Sequence, residues 1–121
     1  MQLKKLEQDF SVCKVEDISK VNFESEYCFL GKTDEEISLV CDTNEVPNNI
    51  VIRDDGWKGF KIVGTLDFSL IGILSKIATI LSDNDIGIFA VSTYNTDYIF
   101  TKKSNFSKAL DALSKSGYEI E

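Results

Sequence analysis

Hydrophobic residues in the second half of the chain change period twice. Across SLIGILSKIATILSDN (69–84), Leu70, Leu74, Ile77 and Leu81 recur three and four positions apart, with Ile73 and Ala78 beside them. Ser75, Lys76, Thr79 and Ser82 fall on the opposite side, so the spacing predicts a helix with one buried face. Asp67 or Ser69 can accept hydrogen bonds from the open amides of its first turn. SNFSKALDALSKSG (104–117) repeats the pattern with Phe106, Ala109, Leu110 and Leu113, a cap at Ser104 or Asn105, and Gly117 as a left-handed stop. Runs of strand character flank both helices: Phe60 to Val63, Ile86 to Val91, Tyr98 to Thr101, and Tyr118 to Ile120. The second half therefore reads β-α-β-β-α-β, two helices over one face of a sheet, which is ferredoxin-like α+β topology.

The first half is less periodic. Phe10 to Val15 alternates like a strand, Tyr27 to Leu30 and Ile37 to Cys41 form a hairpin around GKTDEE, and Ile50 to Arg53 is a further short strand. DTNEVPNN reads as loop or one helical turn, because Pro47 blocks anything longer. RDDGWKGF (53–60) is rich in turn residues and marks a joint, dividing the chain into an N-terminal part, 1–56, and a C-terminal part, 57–121. The halves are expected to share a sheet or to stack face to face, with Trp57 between them. A chain of 121 residues with 43% hydrophobic and 27% charged side chains is long enough to bury such a core without disulfides.

Charge narrows the chemistry. Thirteen basic and 20 acidic residues give a formal charge of −7, which disfavours nucleic acid and anionic membrane surfaces. No apolar run approaches the roughly 20 residues of a membrane span, and MQLKKLEQDF lacks the apolar stretch of a secretory leader, so the cytoplasm is the expected location. Cys13, Cys28 and Cys41 are too far apart for a CxxC pair and sit in apolar runs, where reduced thiols act as small hydrophobes. There is no histidine, which removes the commonest general base and metal ligand. Asp34, Glu35 and Glu36 read as a solvated hairpin tip. Asp54-Asp55 and Asp83/Asp85 lack the spacing of a calcium loop. Neither metal nor cofactor is expected, and no phosphate-binding glycine loop is present.

Two segments remain that can hold a ligand. GTLDFSLIG (64–72) leaves a strand and enters a helix, where open amides and a partial positive charge favour a carboxylate. STYNTD (92–97) carries more polar groups than a reversal requires. In a split βαβ arrangement the first loop and the strand at 88–91 line one groove. A free amino acid fits both ends of such a groove, its carboxylate at the helix start and its ammonium at Asp97 or Asp67. The alternative is equally open: Asp67 and Ser69 are caps, Ser92, Thr93 and Asn95 satisfy turn amides, and Asp97 is an Asx-turn residue.

The stretch DGWKGFKIVGTLDFSLIGILSKIATILSDNDIGIFAVSTYNTDYIF resembles the small bacterial ACT-domain proteins related to the aspartokinase regulatory region, and is similar to the ACT modules of the CASTOR arginine sensors. The resemblance is close from Arg53 to Ile120 and weaker through YCFLGKTDEEISLVC. It implies two ACT-like subdomains, the N-terminal one abbreviated, and a regulatory protein rather than an enzyme. It implies an amino-acid site formed by Leu66, Asp67, Phe68, Ser69, Gly72 and Ile73, a facing strand of Ile88, Phe89, Ala90 and Val91, and Thr96 and Asp97 at the ligand's amino group. It also implies a homodimer or higher homo-oligomer and a partner enzyme. The competing expectations are a ligand-free ACT pairing module that associates with such an enzyme, and a small Asp- or Cys-dependent enzyme.

Overall fold

The computed structural model of the protein describes residues 1–64 and 71–121. Its strands are β1 (Gln2–Lys5), β2 (Phe10–Val15), β3 (Cys28–Lys32), β4 (Ile37–Asp42), β5 (Ile50–Ile62), β6 (Ile88–Ser92), β7 (Asp97–Lys102) and β8 (Glu119–Ile120). Its helices are α1 (Ile73–Asp83) and α2 (Phe106–Lys115), with 3-10 turns at Thr43–Glu45 and Lys103–Asn105. Contacts group the chain into a smaller unit, Gln8–Trp57, and a larger one of Met1–Glu7 with Lys58–Glu121. The expected division after residue 56 lies one position from the split at 57/58, while the first seven residues group with the later part.

The larger unit orders its strands β6-β7-β5-β1-β8. This is the ferredoxin-like order with one strand added. β1 lies antiparallel to β5 (Leu3 opposite Ile62) and parallel to β8 (Leu3 opposite Ile120), separating two strands that would otherwise be neighbours. The hydrophobic pattern did not single out β1, because QLKK offers one apolar side chain, Leu3, although that side chain is fully buried. Leu3, Phe60, Ile62, Ile77, Leu81, Ile99, Ala109 and Leu113 form the core. Both helices enter it by the stripes that their spacing predicted. α1 starts at Ile73, since Ile71 and Gly72 are not helical. Asn84 ends it, its side-chain amide donating to the Ile80 carbonyl at 2.8 Å. Asn105 is the N-cap of α2 but makes no side-chain capping bond. The expected caps Asp67 and Ser69 lie outside the described residues.

The smaller unit orders its strands β3-β4-β2-β5, the ferredoxin-like order without helices. Cys13, Val15, Leu39 and Cys41 are its buried centre. Three of its elements recur sixty residues later: β3 and β6 begin at 28 and 88, β4 and β7 at 37 and 97, and the 3-10 turns at 43 and 103. β4 and β7 bury the same positions. Both hairpin turns close alike, Thr33 N–H to the Glu36 carbonyl and Thr93 N–H to the Thr96 carbonyl, each at 2.9 Å. The smaller unit thus repeats the strand order of the larger one, with the segment 16–27 at the place of the first helix and a 3-10 turn at the place of the second.

The expected joint at RDDGWKGF is instead continuous strand, because β5 runs through all eight residues. The glycine that signalled a turn makes a bulge. Phe10 faces Trp57 while Val12 faces Asp54, so β5 spends an extra residue there, and Gly56 takes φ +86. The buried Ser11 hydroxyl steadies this place by donating to Asp55 Oδ1, and Arg53 pairs with the same oxygen at 3.0 Å. Three residues on, Gly59 is required for space. A Cβ there would lie 2.7 Å from Cε1 and 2.8 Å from Cδ1 of the buried Phe100 ring. Gly59→Ala is expected to lower unfolding stability by about 1–3 kcal/mol in urea denaturation. Gly31→Ala, where nothing lies within 4 Å, should change it by less than about 1 kcal/mol.

Candidate functional site

One end of the larger unit's sheet brings the β6–β7 turn, with Thr96 and Asp97, to the end of β5. β5 stops at Ile62, and Gly72 is the N-cap of α1. The β6–β7 turn closes over the same strand end: Thr96 Oγ1 donates to the Ile62 carbonyl at 2.8 Å, and Thr96 is 6% exposed. β1 begins at this end too, its Gln2 carbonyl accepting from Val63 N–H at 2.9 Å. Asp97, the first residue of β7, therefore stands beside the strand end from which the chain sets out toward α1.

The pleat decides what each strand residue can face. Ile99 is core and Ile88 packs on that core, so both lie on the helix-bearing face. Ala90 opposite Ile99, and Ser92 opposite Asp97, share that face by alternation. Phe89 stacks on Phe100 at 4.7 Å on the other side, together with Val91. The four facing-strand residues are thus divided two and two by side chain. Asp97 is half-buried on the helix side, across from exposed Ser92.

Gly72 and Ile73 open α1. Gly72 takes φ +79 and its carbonyl accepts the first intrahelical bond, from Lys76 N–H at 2.9 Å. A Cβ there would meet nothing within 4 Å, so the glycine answers to backbone conformation, not to close approach. The amides of the first turn and the partial positive charge of the axis point toward the preceding segment. Leu66, Asp67, Phe68 and Ser69 lie outside the described residues. Ile73 also lines a 330 Å³ cleft with Lys76, Ser116 and Tyr118, contiguous through Lys76, Ser116 and Tyr118 with a second of 370 Å³. Sequence reasoning had put Lys76 on a solvated face and Tyr118 in a strand. Only the topology, which sets the end of α2 beside the start of α1, reveals them as cleft residues.

Thr96 emerges in a different light. Its hydroxyl hydrogen goes to the Ile62 carbonyl, and its amide approaches Thr93 Oγ1 at 3.4 Å. It holds the turn against the strand end. Thr96→Val is expected to cost about 0.5–1.5 kcal/mol with Thr96→Ser close to wild type, read by thermal unfolding.

The thiols stay in the smaller unit. Cys28 faces Cys41 across β3 and β4, and Cys13 hydrogen-bonds Cys41. Burial, with the neighbouring Cys13 adding to it, pushes the Cys41 thiol from 9.0 up to about 12, and burial raises Cys13 and Cys28 as well. These are poor nucleophiles near neutrality. Unfolding returns Cys41 to its ordinary range, so the unfolded chain loses its proton first on raising the pH. The contribution of Cys41 to stability is therefore fully present below about pH 9.0 and is lost between there and about 12, as chemical denaturation across that range will reveal. Among the described residues no helix is long and apolar enough to cross a membrane, and no group of three or more Cys, Asp or Glu is arranged to hold a metal ion.

Residues 52–115 match a family described as ACT domain. No curated protein matches the chain. Among solved structures it is similar to protein Atu0741 from Agobacterium tumefaciens, with 29% identity over 99% of this chain and 91% of that one and a TM-score of 0.88. It is also similar to the ligand-free regulatory subunit of aspartate kinase from Thermus thermophilus, with 10% identity, coverage of 95% and 96%, and a TM-score of 0.66. The allosteric aspartate kinase of Clostridium acetobutylicum aligns at 17% identity and a TM-score of 0.64 over 92% of this chain and 32% of that one. At these identities the two kinase likenesses are likenesses of fold.

Proposed function

This chain belongs to the ACT-domain family, and on that premise we propose that it is a regulatory protein whose larger unit senses a free amino acid. The ligand carboxylate sits against the first-turn amides of α1 at Gly72 and Ile73, and Leu66, Asp67, Phe68 and Ser69 are further ligand contacts of this reading. The ammonium, or a basic side chain, sits at Asp97, with the helix-side residues Ile88 and Ala90 of β6 beneath. Phe89 and Val91 contribute through the backbone of the strand, and Thr96 by holding the turn.

The observation that carries this reading is the Thr96–Ile62 hydrogen bond, which keeps an acid-bearing turn at the strand end that leads to α1. A positive helix start and a carboxylate near one strand end suit a zwitterion better than an anion or a cation alone. Charge-assisted bonds of about 1.5–3 kcal/mol each, less the cost of ordering, match micromolar to millimolar affinity. β6 is an edge of the larger unit's sheet and carries no charged residue. That edge supports self-association of two chains through β6, and with it the competing reading of a pairing module for a partner enzyme. A small regulatory protein of this kind operates in the cytoplasm and performs no catalysis of its own.

A thermal-shift screen of all twenty amino acids, added one at a time, tests the sensor reading. At least one is expected to raise the melting temperature, by an amount corresponding to about 2.7 kcal/mol at a hundredfold excess over Kd. Asp97→Asn should weaken that ligand about tenfold or more. No shift with any of the twenty leaves the pairing module as the better account.

A further inference from the structure

Three cysteines that the sequence keeps apart come together on one face of the smaller unit's sheet. Cys13 of β2 and Cys41 of β4 are buried, and half-buried Cys28 of β3 packs against them. Strand register decides which two of the three can be joined. The β3–β4 hairpin closes with Thr33 N–H donating to the Glu36 carbonyl, which makes these two a hydrogen-bonded pair. From Lys32–Ile37 to Cys28–Cys41 the pairing then runs without a slip. Hydrogen-bonded and non-hydrogen-bonded pairs alternate along an antiparallel ladder, so Lys32–Ile37, Leu30–Leu39 and Cys28–Cys41 are all of the second kind. In such pairs the Cα atoms stand about 4.5 Å apart and the side chains lie closest. A disulfide spans Cα separations of about 4.4–6.8 Å, so this pair is already within its reach.

Cys13 stands differently. It lies opposite Leu39 while Cys41 lies opposite Ser11, so these two thiols are diagonal neighbours. Diagonal Cα atoms are about 7–8 Å apart, beyond what a disulfide bridges without backbone movement. The two share a hydrogen bond instead, which raises Cys41 and lowers Cys13 and so makes Cys41 the donor. Cys28 is further still from Cys13, because β4 separates β3 from β2. Exposure sets an order of reaction. Cys28 is the half-buried thiol, on an edge strand, and meets a reagent before Cys41 does. Burial raises all three thiols, so any attack is slow at neutral pH. Slow attack does not fix the equilibrium, which depends on the geometry of the closed pair and the surrounding redox poise.

We infer that Cys28 and Cys41 are a reversible disulfide site, oxidised by a low-molecular-weight disulfide such as glutathione disulfide, with Cys13 left outside it. The Cys28 thiolate attacks one sulfur of the reagent, the reagent's S–S bond breaks, and one half leaves as a thiolate. Cys41 then gives its proton to solvent and attacks Cys28 Sγ, forming the Cys28–Cys41 bond and expelling the second half as a thiolate. Two protein S–H groups are oxidised, and one reagent disulfide is reduced to two thiols. The bond closes the hairpin over 28–41 and pins the edge strand β3 to β4. In a reducing cell the pair stays a dithiol until the small-disulfide pool rises. The inference does not rest on the amino-acid reading and survives if no amino acid binds.

The test is incubation of the native full chain in glutathione buffers of rising oxidised fraction at about pH 8.5, followed by acid quenching, alkylation and peptide mass mapping. The expected product is a monomer lighter by about 2 Da, the two hydrogens lost, with Cys28 linked to Cys41 and Cys13 still a thiol. Its formation should quicken about tenfold between about pH 7 and about pH 8, following the thiolate fraction. The linked chain should melt about 4 °C or more above the reduced one. Cys13→Ala should form the same link, and Cys28→Ser, at the half-buried position, should form no internal link at all. Overturning results are a link that includes Cys13, a glutathione adduct on Cys28 that never resolves, a linked form that melts lower than the reduced one, or a link that forms only in the denatured chain.

Discussion

The candidate site depends on where β5 ends. That strand is thirteen residues long and serves both units, its first part edging the smaller sheet and its last part lying inside the larger one. Ile62 and Phe60 are fully buried, and they fix the strand against β1 by the pairs Leu3–Ile62 and Lys5–Phe60. At its end, the backbone pairing of β7 with β5 and β6 is joined by a side-chain bond, from the buried Thr96 hydroxyl to the Ile62 carbonyl. In a dry setting a tie of this kind is costly to break, since the carbonyl left behind has no water to turn to. Asp97 follows Thr96 directly, as the first residue of β7.

Packing around the strand leaves little room for adjustment. Gly59 lies under the Phe100 ring, which in turn stacks on Phe89. Three consecutive strands of the larger unit are therefore tied by contacts on the face away from the helices, while Ile77, Leu81, Ala109 and Leu113 tie the other face. A closely packed sheet with open helix and turn ends would suit the proposed site, whose ligand contacts would come from groups at element termini.

The helices were legible because burial on one face leaves a period in the sequence: Ile77 and Leu81, Ala109 and Leu113 are the fully buried members of stripes that spacing alone identified. The β6–β7 hairpin was legible for a similar reason, though its strands begin and end a residue or two from where the apolar runs do. β1 was not, because a four-residue strand paired on both sides needs only Leu3 to be apolar. β5 was misread at Asp55-Gly56, since a glycine with positive φ makes a turn or a bulge and the difference is set by the partner strand, here Phe10 to Val12 of β2. The repeat of sixty residues keeps hydrogen-bond geometry and burial but little residue identity, as Val40-Cys41 against Phe100-Thr101 illustrates. At the site, residue type pointed to Asp97 and Gly72, whereas the tying role of Thr96 exists only through a partner 34 positions away.

The central claim is that the start of α1 and the turn at Asp97 form one binding site. The most direct measurement is an amide-resolved NMR titration of the full chain with whichever amino acid gives the largest thermal shift. The account predicts that the amides of Ile73 to Ser75 and of Ser92 to Asp97 move together and saturate with a single Kd. Movement of one group without the other, or of two groups with different Kd values, would contradict it.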